Sequence, residues 1–522
     1  NIFVTKVIRG VNNLVPKELA SLFLTKKQIQ KLKILSKLEF MKVDATVMEQ
    51  ELGTSRRQIK ELISELNEDI EENIYLVLND GLIKFNFKVE ADKYIELITN
   101  CRIKYVTESS FFQLMLFVLE KRRFSILQAA ESLSYSESYV YKLINKLKQF
   151  FKQVDAGFQL EKKSEAIMQL EGCESTIRLF HYLSVVAATK GNHWLVNTIT
   201  EKEIINTRQY APTNRCEKLS PVGKNKVNFL LAIYRSALKS DHRLAPLTQD
   251  ILDLGEIITD HHEINLLQTY LGEKDIGKES SHNEPIHLLF LANYFIEELR
   301  TKDEKIQAGK QMSGFEGNGI INSCIEVIHQ LQQKINFPEE LQYLLLYNLC
   351  SRVIVIHYLQ LYKFMPLFKF PKLNGEMDYF VESCVAKGLA NYQQEPSFSK
   401  LVGSLTQIIL GYLSLIFPYP QKVFVEFFHR PEYKSIIENA IETMYNANSL
   451  QVTDNYTEAN IVVSDTGGYD KKYYFHFKDV FDQAAWTELG AYLNQLVSNR
   501  IIENHHLSVD DIFTSYSSKN EQ

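Results

Sequence analysis

Residues 125–148 read SILQAAESLSYSESYVYKLINKLK, and this stretch decides how the N-terminal third folds. Ser125 to Leu133 has the length of a short helix, Ser134-Tyr135-Ser136 is a turn, and a second helix follows. Ala130 stands four residues before Ser134 and Val140 six after it. A small residue where two helices cross, and a β-branched one beneath the second, suit a helix-turn-helix. Upstream, a helix beginning near Thr107 places Phe111, Leu114, Met115 and Val118 on one face. Downstream, Phe158 to Glu161 and Ala166 to Leu170 predict a short two-stranded wing.

The same unit occurs once more, nearer the N-terminus. Lys26 to Phe40 carries Ile29, Leu32, Leu35 and Leu38 on one helical face. Asp44 to Leu52 then forms a short helix, Gly53 supplies a tight turn, and Ser55 caps a helix to about Glu68 that carries Ile59 and Ile63. Ile74 to Leu78 and Leu82 to Phe87 flank Asn79-Asp80-Gly81, a strong hairpin signal. Helix, helix, turn, helix, hairpin is the order of a winged helix. This copy is less regular, because Glu49 stands where the other has Ala130.

The second helices carry the candidate contacts. In the first unit Arg56, Arg57 and Lys60 face away from Ile59 and Ile63. Guanidinium forks read guanine edges and ammonium groups hold phosphates, so these residues suit a DNA major groove; a solvated basic face is the plain alternative. In the second unit Ser136, Ser138, Tyr139, Lys142, Asn145 and Lys146 form the exposed set. They can reach bases and backbone, or serve a protein contact. Residues 1–170 hold 26 Lys+Arg against 22 Asp+Glu, whereas the remainder carries 32 against 42. A basic first third on an acidic body points to an anionic partner for that third alone.

From Glu174 to about Ile416 the pattern is helical, with apolar-periodic segments Ile177 to Thr189, Val227 to Leu238, Ile286 to Leu299, Ile320 to Ile335 and Leu341 to Tyr362. Lys305 to Gly319, with Gly309, Gly314, Gly317 and Gly319, reads as a flexible divider between two bundles. Leu401 to Gln421 lacks charge and has the length of a membrane span, but Ser404, Thr406, Gln407 and Ser414 favour a buried bundle helix. The last hundred residues alternate strand and helix: Val423 to Phe428, a helix from Pro431 to about Tyr445, Leu450 to Thr453, Asn460 to Val463, Tyr473 to Phe477, and a helix from Gln483 to Val497. A small α/β domain with a parallel sheet is expected, followed by a polar tail from Ser515.

A hydrophobic content of 45 % with 23 % charged residues excludes collagen-like, low-complexity and wholly disordered chains. Six dispersed cysteines without a CxxC pair argue against a zinc ribbon or a dense disulfide framework, and fit a reducing cytoplasm. No secretory signal is visible at residues 1–10. Asp260-His261-His262-Glu263 is rich in ligand types, but successive residues point to different helix faces. Asp465-Thr466-Gly467 resembles an aspartic-protease triplet without a second carboxylate to pair with it. Neither metal, cofactor nor enzyme chemistry is expected. Thirteen histidines concentrate in the helical middle, where phosphorylation of a ring nitrogen can reorder a bundle interface. His242, after Val227 to Leu238, and His357, within Ser351 to Tyr362, are the candidates, with His181, His261 and His329 as competitors.

In this order of parts the chain resembles the Mga/AtxA family of transcription regulators. The resemblance implies a mainly α multidomain protein: winged helix-turn-helix units at 1–105 and 106–172, tandem helical bundles of the phosphotransferase-system regulation domain (PRD) type at 173–304 and 305–418, an EIIB-like α/β domain at 419–510, and a tail at 511–522. Phe229-Leu-Leu-Ala-Ile-Tyr-Arg235 followed by Asp241-His242-Arg243-Leu244 is similar to the helix and histidine of a first PRD, and His357 is the counterpart in the second. A DNA-binding activator of virulence-regulator type is then expected, cytoplasmic and dimeric. Its partners would be double-stranded promoter DNA and phosphocarrier proteins of the sugar phosphotransferase system, and no membrane. An EIIB phosphoryl carrier uses a cysteine after its first strand, where this chain has His429-Arg430-Pro431, so that domain is expected to be structural. An RNA-binding antiterminator and a phosphotransferase-system component are the alternatives.

Overall fold

The computed structural model describes residues 23–38, 42–70, 73–164, 166–189, 191, 193–207, 216–259, 261–271, 282–335, 337–367, 376–416, 421–428, 432–447, 449–471 and 473–503. The chain is mainly helical and divides into two compact units: Asn1–Ile325, Phe337–Phe370 and Gln394–Leu401 in one, Glu326–Asn336, Pro371–Gln393 and Val402–Gln522 in the other.

The first unit opens with the expected winged helix. Helix α1 (Lys26–Lys37) is fixed by a capping box between Thr25 and Gln28. Strand β1 (Lys42–Asp44) leads into α2 (Ala45–Leu52), and α3 (Arg56–Asp69) follows after Gly53. Strands β2 (Leu76–Asn79) and β3 (Leu82–Phe85) form the hairpin, with Asp80 and Gly81 both at positive φ. That is the backbone a two-residue hairpin turn requires. β1 pairs antiparallel with β3, a third strand that three residues of sequence do not announce. At the far end of α3, Asp69 holds Lys31 at 2.8 Å and Lys104 at 2.9 Å, joining α1 to α4 (Ala91–Thr107).

The second copy repeats this plan. Helix α5 (Ser110–Lys121), strand β4 (Arg123–Ser125), α6 (Ile126–Leu133), α7 (Glu137–Gln153), β5 (Phe158–Lys162) and β6 (Ile167–Gly172) occur in that order, and the sheet runs β4-β6-β5. The turns superimpose in detail. Gly53 has φ 59 and ψ 42, and Ser134 has φ 58 and ψ 40. The amide of Thr54 donates to the Glu49 carbonyl at 3.1 Å, as that of Tyr135 does to Ala130 at 2.9 Å. The irregularity of the first copy carries a cost here: Glu49 Oε1 is buried with no hydrogen-bond partner among the described residues. Because Ser134 holds a left-handed conformation that L side chains resist, Ser134→Gly raises stability by about 0.5–1 kcal/mol. Gly53→Ala lowers it by a similar amount, and paired urea titrations read both.

Among the described residues, eleven α-helices and several short turns continue through the middle. Those used below are α8 (Glu174–Thr189), α10 (Pro221–Lys239), α12 (His261–Leu271), α13 (Asn283–Phe295), α14 (Lys302–Ser313), α15 (Gly319–Gln332) and α16 (Glu339–Val353); α9 (Glu201–Thr207), α11 (Gln249–Ile258) and α17 (Glu376–Gly388) complete the order up to α18 (Phe398–Ile416). One expectation fails. Lys305 to Gly319 is not a flexible divider over its first part, because α14 starts from a Thr301–Glu304 capping box and buries Lys305, Ala308, Gly309 and Met312. The helical segment Leu341 to Tyr362 changes pitch along its length: α16 ends at Val353 and gives way to a wide π turn, Ile354–Tyr358. Helix α18 buries Leu401, Leu405 and Ile409 together with Ser404 and Thr406, and among the described residues no helix is long and apolar enough to cross a membrane.

The second unit contains the α/β region. Strands β7 (Gln421–Glu426), β8 (Leu450–Val452), β9 (Ile461–Ser464) and β10 (Tyr473–His476) form one parallel sheet in the order β10-β9-β7-β8. Val423, Val425, Ile461 and Val463 pack with Ile437 and Ile441 of α19 (Tyr433–Met444) and Leu489 and Leu493 of α20 (Gln483–Glu503). The loop His429-Arg430-Pro431, Asp260, and the side chains of His261 and His262 lie outside the described residues. Asp465 is a structural residue, since its Oδ1 accepts from the Phe428 amide at 2.7 Å and its carbonyl lies 3.2 Å from His476 Nε2.

Candidate nucleic-acid interface

The second helix of each helix-turn-helix buries one face and offers the other. α3 buries Ile59, Leu62, Ile63 and Leu66, which leaves Arg56, Arg57 and Lys60 outward. Arg56 Nη2 lies beside the hairpin turn, 3.3 Å from where a Cβ on Gly81 would be. Arg57 is 90 % exposed and makes a 3.2 Å pair with Glu61 one turn on. An exposed pair of this kind contributes at most a few tenths of a kcal/mol, roughly, so it yields readily to phosphate.

α7 buries Val140, Leu143, Ile144, Leu147, Phe150 and Phe151. Ser136 is its N-cap and accepts from the Tyr139 amide. The predicted set separates into committed and available groups. The Tyr139 hydroxyl lies 2.7 Å from Ser110 Oγ and its ring stands edge-on to Tyr135; Lys146 Nζ sits 4.4 Å above the Phe111 ring. Ser138, Lys142 and Asn145 are exposed. Two residues were overlooked in the sequence: Tyr141, 46 % exposed beside Lys142, and Lys162, exposed on the wing. Helical spacing from Val140 would have found the first, and strand alternation the second.

Behind this helix-turn-helix lies a charged core. Arg178 on α8 is 1 % exposed. Its Nε donates to Glu174 at 3.0 Å, its Nη atoms hold both oxygens of Glu284, and Nη2 also donates to the His242 carbonyl at 2.6 Å. Glu174 takes a second guanidinium, Arg122 at the end of α5, at 2.9 Å. Glu284 accepts from the Leu244 amide at 3.0 Å. Two cations and two anions therefore join the second helix-turn-helix, α8, α13 and the His242 segment.

The candidate histidines differ in access. His242 and His357 are half-buried, and burial lowers both imidazoles, with Glu174 and Glu395 respectively opposing it. His357 sits in the π turn with Nδ1 2.7 Å from Ser397 Oγ. His329 is exposed. His181 is fully buried, as is His287, which lies between Ser175 and Tyr234. Burial pushes His181 and His287 down to about 3, and the positive charge of Arg122 or Arg178 acts in the same direction.

A pH dependence follows. An unfolded imidazole takes up its proton near pH 6.5, whereas these two resist it until about 3, so below 6.5 the unfolded chain binds more protons than the folded one. Their stabilising contribution is complete above 6.5 and is lost as pH falls toward 3. Between pH 6.5 and 5.5 the loss is about 1 kcal/mol per histidine. His181 Nε2 has no hydrogen-bond partner among the described residues, so His181→Leu keeps the packing and removes half of this slope. Urea titrations at the two pH values measure it, and an unchanged slope in the variant contradicts the assignment.

Comparison with known proteins agrees with this geometry. The family model of the Mga helix-turn-helix domain matches residues 97–184, a span from within α4 through the second helix-turn-helix and its wing into α8. No curated protein matches the chain. Residues 97–184 thus match the Mga helix-turn-helix domain, which is consistent with the Mga/AtxA family of regulators.

Proposed function

We propose that the protein is a DNA-binding transcription activator of the Mga/AtxA type, acting as a homodimer on double-stranded promoter DNA. The observation that carries this reading is the Mga helix-turn-helix match over residues 97–184, whose recognition helix turns Ser138, Tyr141, Lys142 and Asn145 outward. In this reading α3 adds Arg56, Arg57 and Lys60, so that the two units read a bipartite site. Residues 173–304 and 305–418 act as PRD-like bundles, and residues 419–510 as an EIIB-like dimer contact. Phosphocarrier proteins modify His242 and His357. A neutral imidazole is the form that accepts a phosphoryl group, and burial favours that form at both positions.

Binding of the full chain to fragments of its own upstream DNA, against RNA of equal length and at several salt concentrations, tests the reading. DNA is preferred, and affinity falls steeply as salt rises. Lys142→Ala weakens all sequences alike and reduces the salt slope by about 1, whereas Asn145→Ala costs about 1–3 kcal/mol at one base position. Arg56→Ala with Lys60→Ala flattens the slope further if α3 touches DNA. Equal binding of RNA, or unchanged slopes in every variant, rejects the proposal. For the switch, Asp and Ala at His242 or His357 shift promoter output in opposite directions; identical behaviour excludes phosphorylation there.

A further inference from the structure

Strand β1 changes the charge of the small sheet it joins in the first winged helix. In the order β1-β3-β2, Lys42 of β1 stands directly opposite Lys84 of β3, and Val77 of β2 flanks Lys84 on its other side. Ile83 and Phe85 of β3 belong to the core, so alternation turns Lys84, with Lys42 beside it, to the outer face, where both are exposed. Directly opposed side chains have Cβ atoms about 4.5–5.5 Å apart, and like charges at that spacing repel. Neither lysine has an ion-pair partner among the described residues. Asp44, the acid on the same face of β1, is committed to capping α2, its Oδ1 accepting from the Thr46 amide at 2.6 Å.

The second copy provides a comparison within the chain. Its equivalent row is Arg123 of β4, Gln169 of β6 and Glu161 of β5, a cation, a neutral amide and an anion. The same three positions are balanced in one copy and carry two uncompensated cations in the other. Edge protection accounts for only half of the pair. Lysine on an edge strand blocks unwanted pairing, and β1 is an edge, but Lys84 lies on the central strand. An anion that both lysines reach relieves their repulsion, and the neighbouring charges indicate its kind. Arg56 of α3 extends Nη2 to the turn at Gly81, so cations run from α3 past the turn to Lys84, three residues or about 10 Å further along β3. A row of that length suits the repeating charge of a duplex backbone, one per about 1.7 Å of axis, better than one small anion. We propose that, with α3 on DNA, the outer face of the β1 and β3 pair rests on the adjoining phosphate backbone, Lys42 and Lys84 each neutralising one phosphate. The face of the sheet makes this contact rather than the hairpin tip, where exposed Asp80 repels phosphate. The inference rests on the DNA-binding reading above, and the contact fixes orientation without reading sequence.

Fluorescence anisotropy of the full chain with a labelled duplex of random sequence, over a salt series, tests this. Lys42→Gln with Lys84→Gln lowers the salt slope of log affinity by about 1.8, two contacts at about 0.9 each, and weakens binding roughly 10-fold or more at about 0.1 M salt. Lys42→Arg with Lys84→Arg keeps the original slope, because charge is what the phosphates require. Arg123→Gln, at the balanced row, leaves the slope unchanged. Relief of the repulsion keeps the glutamine pair at least as resistant to urea as the unaltered chain, which separates weaker binding from loss of fold. An unchanged slope in the glutamine pair, with DNA binding otherwise intact, overturns this inference alone and assigns the lysines to an acidic protein face. A slope lost equally in the arginine pair also overturns it. Absence of salt-dependent DNA binding by the unaltered chain overturns the DNA-binding reading together with it.

Discussion

Arg178→Met lowers the stability of the first unit by about 3–5 kcal/mol, the cost of leaving buried charges without their partner. Arg178 neutralises Glu284 and shares Glu174 with Arg122, and it donates to the His242 carbonyl, one of the hydrogen bonds that fix that segment. Methionine fills the volume but leaves two carboxylates with one remaining guanidinium. By contrast, Arg178→Met combined with Glu284→Leu removes charge in pairs and recovers much of the loss, since a well-packed apolar pair often matches a buried ion pair. The single variant also frees the His242 carbonyl and leaves Glu284, the acceptor of the Leu244 amide, without its guanidinium, so amide exchange accelerates at residues 242–247 as well as in α8 and α13. Urea titration followed by circular dichroism measures the first effect and hydrogen exchange the second. A loss below about 1 kcal/mol would show that the network is solvated and contributes little.

Gly309→Ala is the second large effect, and its sign opposes helix propensity. In a helix interior, alanine in place of glycine gains about 1 kcal/mol. At Gly309, however, a Cβ would lie 2.6 Å from the carbonyl carbon of Tyr343 and closer still to its oxygen. Backbone cannot rotate aside as a flexible side chain can, so α14 must move off α16, at a cost of about 3 kcal/mol. Gly403 in α18 is the control, because nothing lies within 4 Å of its Cβ position. There the same change raises stability by about 0.5–1 kcal/mol. Thermal unfolding of the two variants should move in opposite directions.

These cases separate what local pattern carries from what it does not. The two helix-turn-helix units, the Asp80-Gly81 hairpin and the alternating strands and helices of the last hundred residues were legible because each rests on spacing within a few turns of chain. Apolar residues at helical period, a capping serine and a residue able to adopt positive φ act on their immediate neighbours. The outward set Arg56, Arg57, Lys60, Ser138, Lys142 and Asn145 was legible for the same reason, since the buried face of a helix determines its opposite. Tyr139 and Lys146 share that face, yet their engagement by Ser110, Tyr135 and Phe111 depended on how α5 packs against α7.

The sequence by itself determined the local elements, their order and the faces they offer. Tertiary structure alone decided that Gly309 marks a close crossing rather than a flexible divider, that three-residue strands complete both small sheets, and that Arg178 meets Glu284 across 106 residues of chain. It likewise made His181 and His287 inaccessible while leaving His242 and His357 half-buried. The reason is physical: periodicity and capping are interactions between near neighbours in sequence, whereas charge pairing, helix crossing and burial depend on segments brought together by chain folding, for which no single segment carries a signal.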